Sequence, residues 1–283
     1  MFVPGSASQS LAAALAAETG RPLATPEYRV FPDGEECASV PDFAGEGAVV
    51  VAATVSNDAL VELLQLQDAV REAGAGTVTT VLPYMGYARQ DRAFEPGEPV
   101  SARAVARAVS TGADRVVLVN PHEAGVADFF EVGTVVVDAA RLLADPLPDD
   151  LVDPLFLGPD ASAEGVAGTT RDAYGRGTVD HFEKERDHGT GEVTVRPSGA
   201  DAAGRDVVVV DDIIATGSTM SEAVAALRER GPERVFTACV HPMLVGNART
   251  KLAAAGVERV FGTDTVEREA SAVSVAPVVA DAL

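Results

Sequence analysis

Short aliphatic runs alternate with longer alanine-rich segments along the whole chain. The runs predict strands at Val49–Ala53, Thr77–Leu82, Val116–Val119, Val135–Val137, Val207–Val210 and Val235–Val240. They are continuous rather than alternating with polar residues, which is typical of strands buried on both faces. Helices are predicted at Ser8–Thr19, Asp58–Ala73, Ser101–Thr111 and Met220–Arg230, each followed by a glycine that can end it. This order favours an α/β fold in which helices flank parallel sheets.

Two stretches of the chain repeat the same order of elements. Val49–Asp58 leads into a helix and then a strand that ends at Pro83, and Val207–Thr219 leads into a helix and then a strand that ends before Pro242. The repeat predicts two related α/β domains whose ligand loops have diverged, although two unrelated strand–helix–strand units would look similar. A segment rich in proline and aspartate, Asp145–Pro154, indicates the boundary. We therefore expect domains at 1–140 and 141–283, with the last residues packing back on the N-terminal domain.

Composition narrows the class of protein. The chain has 283 residues, 47% of them hydrophobic, which suits two globular domains and excludes global disorder. No apolar run approaches the roughly 20 residues that cross a bilayer, and the N-terminus does not resemble a signal peptide. The two cysteines, Cys37 and Cys239, cannot form a disulfide framework. These features predict a soluble, cytoplasmic protein without a membrane partner.

The charge is strongly acidic. The chain has 43 acidic and 22 basic residues, a net charge of −21, and its two lysines are Lys184 and Lys251. Such a chain repels itself and needs salt to screen the repulsion, which favours a halophilic source over an ordinary acidic protein. The acidic balance also argues against a nucleic-acid partner, which requires a basic face. A polyanionic ligand must therefore bind through local amides, a metal ion and a few cations.

The segment Val207–Thr219 carries the most specific chemistry. Asp211 and Asp212 follow four valines, at the carboxyl end of the predicted strand, where open α/β sheets bind ligands. Thr216-Gly-Ser-Thr219 then begins a helix, where backbone N–H groups and hydroxyls can bind a phosphate. Thr219 and Glu222 have the spacing of a capping box. The adjacent carboxylates can bind ribose hydroxyls or Mg²⁺; the alternative is an acidic turn before an ordinary capped helix.

This segment resembles the phosphoribosyl-diphosphate loop of type I phosphoribosyltransferases and ribose-phosphate diphosphokinases. Further motifs, in the family order, are similar to those of the diphosphokinases: Phe31-Pro-Asp-Gly-Glu35, Leu82-Pro-Tyr-Met-Gly-Tyr-Ala-Arg-Gln-Asp91, Pro121-His122 followed by Phe129-Phe130, Gly158-Pro-Asp160 and His241-Pro-Met-Leu-Val-Gly-Asn-Ala248. The Tyr-Ala-Arg-Gln-Asp motif is the most specific. The chain is therefore identified as a member of the ribose-phosphate diphosphokinase family, with two tandem phosphoribosyltransferase-like (type I) domains expected.

The resemblance implies an activity and a catalytic pair. Family members transfer the diphosphoryl group of ATP to the 1-hydroxyl of ribose 5-phosphate with Mg²⁺, giving AMP and a precursor for nucleotide biosynthesis. Lys184 and Arg186, on a catalytic loop of the C-terminal domain, match the pair that stabilises the transferring group. Without the family, Phe182–His188 would read as a solvated charged turn.

The resemblance also assigns binding residues. His122 and Asp160 would hold Mg²⁺ with the nucleotide phosphates, although imidazole is not a preferred Mg²⁺ ligand. The ATP site would take Arg89, Gln90 and Asp91 together with Phe31, Asp33 and Glu35, an adenine-binding element that comes from a neighbouring subunit and so requires at least a dimer. The ribose 5-phosphate site would take Asp211, Asp212, Ala215, Thr216, Gly217, Ser218 and Thr219.

Departures from the family pattern bear on metal geometry and allosteric control more than on substrate class. Ala215 stands where many members have aspartate, Ser162-Ala163 where many have two glycines, and Asn120 where an acid is common.

Two alternative functions remain open. A phosphoribosyltransferase would use the same loop but has no reason for Tyr87–Asp91. A regulatory paralogue without turnover would be expected to lack Lys184 or the acid pair. A P-loop kinase is excluded because its glycine-lysine motif is missing, and Gly74-Ala-Gly76 is a poor dinucleotide motif.

Overall fold

A computed structural model gives the fold for residues 1–186, 193–197, 199 and 201–283, with the backbone alone for 183–186 and 193–197. Contacts between residues divide the chain into two compact units. The first comprises Met1–Asp138, Asp264–Glu267 and Ser274–Leu283, and the second comprises Ala139–Thr263 and Arg268–Val273.

The first unit contains a five-stranded parallel sheet and a separate hairpin. Its elements are β1 (Phe2–Pro4), α1 (Gln9–Thr19), β2 (Glu27–Val30), β3 (Glu36–Ser39), β4 (Gly47–Val51), α2 (Asn57–Glu72), β5 (Thr77–Leu82), α3 (Ser101–Ser110), β6 (Arg115–Val119) and β7 (Gly133–Val137). The sheet has the order β1-β4-β5-β6-β7, and every neighbouring pair is parallel. The hairpin β2–β3 forms its own two-stranded sheet. One apolar core cluster of this unit includes Val50, Leu63 and Leu118.

The second unit repeats this plan. Its elements are β8 (Leu155–Gly158), α4 (Glu164–Tyr174), β9 (Thr178–Arg186), β10 (Val193–Pro197), β11 (Val207–Ile213), α5 (Ser218–Arg228), β12 (Val235–His241), α6 (Ala248–Ala255), β13 (Arg259–Thr263) and β14 (Ser271–Val273). The sheet order is β10-β9-β8-β11-β12-β13-β14, with β9 and β10 antiparallel and the other pairs parallel. Its core includes Leu157, Val209 and Leu227.

The internal repeat covers five parallel strands of each unit. In each unit the first strand, a helix and a hairpin precede the strand that pairs with the first, so that β1-β4-β5-β6-β7 corresponds to β8-β11-β12-β13-β14. The α/β fold with parallel, helix-covered sheets is confirmed, because valine runs buried on both faces need helices on both sides. The hairpins differ: β9 joins the main sheet beside β8, whereas β2–β3 stays apart.

The carboxyl-terminal segment completes the first unit. The short helix α7 (Ala276–Ala280) contacts α1, and the guanidinium of Arg115 donates to the carbonyl oxygen of Ala282 at 2.7 Å. Glu267 accepts hydrogen bonds from the backbone N–H groups of Ser10 and Leu11 at the start of α1. Across the described residues, none of the helices combines the length and the apolar character needed to cross a bilayer.

Candidate active site

The strand β11 places two carboxylates at the carboxyl end of a buried run of valines. Val207, Val208, Val209 and Val210 are completely buried between β8 and β12. Asp211 and Asp212 follow and are partly buried, and the strand continues to Ile213, three residues beyond the predicted end. The continuation has a clear cause, since Asp211 and Ile213 remain in register with Cys239 and His241 of β12.

The loop after β11 is fixed by the segment before α6. The N–H of Ile214 donates to the carbonyl oxygen of His241 at 3.2 Å, and the carbonyl oxygens of Ile214 and Ala215 accept from the N–H groups of Leu244 and Val245 at 2.9 and 3.0 Å. Gly217 follows with φ +71°, a conformation that side chains with a Cβ rarely adopt. A Cβ at that position would lie 3.2 Å from the carbonyl oxygen of Ala248. Glycine is therefore favoured at this position by both the turn and the close approach of α6.

The first turn of α5 is open at its amino terminus. Gly217 is the N-cap residue, and among the described residues no side-chain cap hydrogen bond is made at the start of this helix. The capping box predicted for Thr219 and Glu222 is therefore wrong, because the helix already begins at Ser218 and Thr219 lies inside it. The first N–H groups of a helix have no partner within it, and together with the helix dipole they bind anions. Thr216 and Thr219 are exposed beside this turn, and the hydroxyls of Thr216 and Ser218 are 3.3 Å apart.

Three carboxylates bring excess negative charge to the same edge of the sheet. Asp160 follows β8, which pairs with β11, and its carboxylate accepts from the N–H of Ser162 at 3.1 Å and from the Ser162 hydroxyl. Burial raises the pKa of the Asp211 carboxyl well above its usual range, and the neighbouring charges of Asp212 and Asp160 raise it further. A cation bound there would relieve this repulsion.

The donor set suits magnesium. Mg²⁺ prefers oxygen ligands and is commonly bound by one or two carboxylates together with substrate phosphates and water. Among the described residues, no group of three or more His, Cys, Asp and Glu side chains is arranged to hold a metal ion. The carboxylates at the ends of β8 and β11 fit an ion that takes its remaining ligands from substrate.

The catalytic pair predicted at Lys184 and Arg186 lies in a strand. The backbones of both residues belong to β9, where Lys184 is in register with Val195 of β10 and Arg186 with Val193. The loop assigned to them from the resemblance is therefore corrected to a β-hairpin strand, since antiparallel pairing with β10 continues to Arg186. Their side chains lie outside the described part of the chain.

The first unit places two predicted ATP-binding groups at neighbouring strand ends. Arg89, Gln90 and Asp91 lie in the loop after β5, and His122 follows β6, the strand next to β5. Arg89 and His122 are exposed. Gln90 is engaged with α3, because its side-chain oxygen accepts from the hydroxyl of Ser101 at 2.5 Å and its carbonyl oxygen accepts from the N–H of Ala102 at 3.1 Å. Gln90 thus anchors the loop to the helix.

The predicted adenine-binding residues form the tip of the hairpin β2–β3. The N–H of Phe31 donates to the carbonyl oxygen of Glu35 at 2.7 Å, and the carboxylate of Asp33 accepts from the N–H of Glu35 at 3.2 Å. Phe31 is 38% exposed and Val30 is 67% exposed. The hairpin forms its own two-stranded sheet and does not belong to the main sheet that carries the loops after β5 and β6.

One charged residue beside the start of α5 was not predicted. The ammonium of Lys251, in the first turns of α6, donates to the hydroxyl of Ser218 at 2.7 Å. A signal was present in the composition, because Lys251 is one of two lysines in the chain. The contact could not be predicted from the sequence, because Lys251 and Ser218 are 33 residues apart and meet only through the packing of α6 against α5.

Comparison with known proteins gives consistent matches over the whole chain. The family described as the N-terminal domain of ribose phosphate pyrophosphokinase matches residues 1–112, and the phosphoribosyl transferase domain matches residues 135–276. A ribose-phosphate pyrophosphokinase of Halobacterium salinarum is 62% identical, with 100% of both chains covered. One from Methanopyrus kandleri is 44% identical, covering 95% of this chain and 93% of its own. The crystal structure of phosphoribosylpyrophosphate synthetase from Mycobacterium smegmatis covers 100% of this chain and 96% of its own, with a TM-score of 0.85 and 29% identity.

Proposed function

The chain belongs to the ribose-phosphate pyrophosphokinase family, and from that premise we propose that the second unit binds ribose 5-phosphate and the first unit binds ATP. As a member of this family the chain is a transferase that moves the diphosphoryl group of ATP to the 1-hydroxyl of ribose 5-phosphate. The products are 5-phosphoribosyl 1-diphosphate and AMP. We keep the sequence-based bounds, 1–140 and 141–283, as the two functional domains.

The observation that carries the proposal is the open amino terminus of α5 beside paired carboxylates. The 5-phosphate binds at the first turn, where Ser218 and Thr219 offer N–H groups and hydroxyls and Gly217 allows close approach. Asp211 and Asp212, at the end of β11, accept hydrogen bonds from the ribose hydroxyls. Ala215 and Thr216 complete the loop between these two groups.

Magnesium is the proposed cofactor, with His122 and Asp160 as the ligands assigned from the family resemblance. The raised pKa of Asp211, caused by burial and by the charges of Asp212 and Asp160, supports a cation at this edge of the second unit's sheet. When bound, Mg²⁺ supplies charge neutralisation to the phosphates. The chain's carboxylates orient the sugar, so that its 1-hydroxyl is held in a fixed position for transfer.

Lys184 and Arg186 are the proposed catalytic residues for the transferring group. Positive side chains stabilise the negative charge that develops on a diphosphoryl group during its transfer.

ATP is proposed to bind at the ends of β5 and β6, where its ligands are Arg89, Gln90, Asp91 and His122. Gln90 would bind ATP while its hydrogen bonds hold the loop against α3.

A homo-oligomer, at least a dimer, follows from the same proposal. In the family the adenine-binding element comes from a neighbouring subunit, and here it corresponds to Phe31, Asp33 and Glu35. The exposed apolar side chains at this hairpin, among them Val30 and Phe31, support a partner that covers them. Because ATP and ribose 5-phosphate belong to the nucleotide pool of the cell interior, we place the enzyme in the cytoplasm.

A ³¹P NMR time course tests the activity and the role of Lys184 together. In molar KCl with ATP, ribose 5-phosphate and Mg²⁺, the wild-type chain is expected to produce AMP and 5-phosphoribosyl 1-diphosphate in equal amounts. Lys184→Ala is expected to lower kcat by about 10²- to 10³-fold, because one charge-stabilising group is lost from the transition state. Ribose 5-phosphate should still raise the unfolding midpoint of this variant. An undiminished kcat would remove Lys184 from the reaction, and a folded wild-type chain without turnover would contradict the activity.

A further inference from the structure

Lys251 is placed beside the phosphate loop by several independent contacts. The segment 241–245 is hydrogen-bonded to Ile214 and Ala215, and Ala248 packs against Gly217, so the start of α6 is fixed relative to the loop. From there the ammonium of Lys251 reaches the hydroxyl of Ser218, with 2.7 Å between the nitrogen and the oxygen. Both residues are partly buried. The position of the charge is therefore set by the backbone around it.

The charge is unusual at this position. A lysine is unfavourable in the amino-terminal turns of a helix, because the positive end of the helix dipole lies there. Lys251 is the fourth residue of α6, and its ammonium lies at the amino terminus of α5 as well. Within the part of the chain that the structure describes, Lys251 has no carboxylate partner within ion-pair distance, although the chain has 43 acidic residues. An ammonium thus lies at the open amino terminus of α5, and the two together favour an anion there.

We infer that Lys251 is a specificity-determining residue for ribose 5-phosphate and supplies the positive charge of its 5-phosphate subsite. This inference rests on the proposed function, which puts the 5-phosphate at the first turn of α5. A phosphate oxygen accepting from the Ser218 hydroxyl would lie within about two hydrogen-bond lengths of the Lys251 nitrogen. At that distance a partly desolvated ammonium favours the dianion of a phosphate monoester over a neutral sugar.

The positive charge of Lys251 matters because the chain as a whole is strongly acidic. With a net charge of −21, the protein as a whole repels a phosphate monoester. Asp211 and Asp212 add two acids on the sugar side of the same loop. A lysine that no carboxylate of the described residues neutralises offsets this repulsion locally, where the phosphate binds.

Removal of the charge tests the inference against a matched control on the same helix. Lys251→Met is expected to raise KM for ribose 5-phosphate by about 10- to 100-fold, with kcat within about threefold and KM for ATP unchanged. Arg249→Met removes one positive charge from the same turn of α6, but Arg249 pairs with Glu269 and not with the loop. Its KM for ribose 5-phosphate should stay at the wild-type value. Lys251→Arg should restore most of the affinity.

A second variant separates the charge from the hydrogen bond. Lys251→Gln keeps a donor for the Ser218 hydroxyl but is neutral, so we expect its KM to remain high. If Gln restores KM, or if the Met and Arg249→Met variants change alike, the inference is wrong and Lys251 is a structural link between α5 and α6. The rise of the unfolding midpoint with ribose 5-phosphate alone gives a readout without turnover, and it should be reduced in the Met and Gln variants only. A wild-type chain that responds to ribose 5-phosphate but does not turn over would contradict the proposed function while leaving this test intact.

Discussion

The helices α2 and α5 begin differently, although they occupy the same place in the repeated fold. In the first unit, Ala52 and Ala53 follow β4, and the Ser56 hydroxyl caps α2 by accepting from the N–H of Ala59 at 3.1 Å. In the second unit, two aspartates follow the valines of β11, and α5 begins after Gly217 without a side-chain cap. One helix amino terminus is closed by the chain itself, and the other is left open.

With the proposed function, this difference is what separates a ligand-binding turn from a structural one. A serine cap stabilises a helix by about 1 kcal/mol, and its loss leaves N–H groups that only water or a ligand can satisfy. The second unit also carries the repulsion of Asp211 and Asp212, where the first unit has buried alanines. With the proposed function, the groups that bind ribose 5-phosphate lower the stability of the ligand-free protein, a trade-off that is common at functional sites.

Closing the open turn should have the largest effect. Gly217→Ala would place a Cβ 3.2 Å from the carbonyl oxygen of Ala248 and force a side chain into the left-handed region. We expect kcat/KM for ribose 5-phosphate to fall by about 10²-fold, because a displacement of the loop by a fraction of an ångström moves the phosphate and the sugar together. Steady-state kinetics with ATP held at saturation measure this loss.

Gly231→Ala is the control for this substitution. Gly231 lies beyond the other end of α5, has φ +67° against +71° for Gly217, and has no atom within 4 Å of an added Cβ. It should therefore cost about 1 kcal/mol of stability through backbone strain and leave the kinetics unchanged. Equal kinetic losses in both variants would show that strain, and not the approach of α6, determines the geometry of the loop.

Neutralising Asp211 should change activity and stability in opposite directions. Burial, followed by the charges of Asp212 and Asp160, raises its pKa. Because its pKa is higher in the folded protein than in the unfolded chain, the protonated Asp211 carboxyl is compatible with folding below the ordinary pKa of about 3.9. This contribution to stability is lost as the pH rises through the raised pKa and the group ionises. At pH 7 the ionised group thus opposes folding, and Asp211→Asn should raise the unfolding midpoint by a few degrees while kcat/KM falls by at least about tenfold. The gain in midpoint should shrink as the pH is lowered towards 4.

Asp206 lies at the other end of β11 and provides the opposite case. It is completely buried, which alone would raise its pKa, but hydrogen bonds from Arg234 and from the N–H of Val152 outweigh burial and hold the pKa below its usual range. Its contribution is present at neutral pH and lost as the pH falls through that lowered value. Asp206→Asn should therefore lower stability by about 2–4 kcal/mol without altering KM. A loss of stability in both variants would contradict the assigned role of Asp211.

The sequence predicted the strand, the turn and the helix of the segment Val207–Thr219 well, and the contacts around them less well. The strand of valines, the two aspartates and the glycine identify the loop because each is a local requirement of that turn. Two features depended on contacts between distant residues. The register of β11 with β12 extends the strand to Ile213, and the packing of α6 brings Lys251 to Ser218. The capping box failed for a different reason, since its spacing is also compatible with a helix that begins at Ser218, two residues before the predicted start at Met220.

The smallest expected effect concerns two serines that use their hydroxyls differently. The Ser56 hydroxyl accepts from a helical N–H, whereas the Ser218 hydroxyl accepts from Lys251. Ser56→Ala should therefore lower the free energy of unfolding by about 1 kcal/mol and leave KM for ribose 5-phosphate unchanged. Ser218→Ala should raise that KM by a few fold with a smaller effect on stability, because one donor to the phosphate is lost. Urea unfolding and steady-state kinetics on both variants test this, and a KM effect at Ser56 would mean that the capped turn of the first unit is not a purely structural counterpart of the open one.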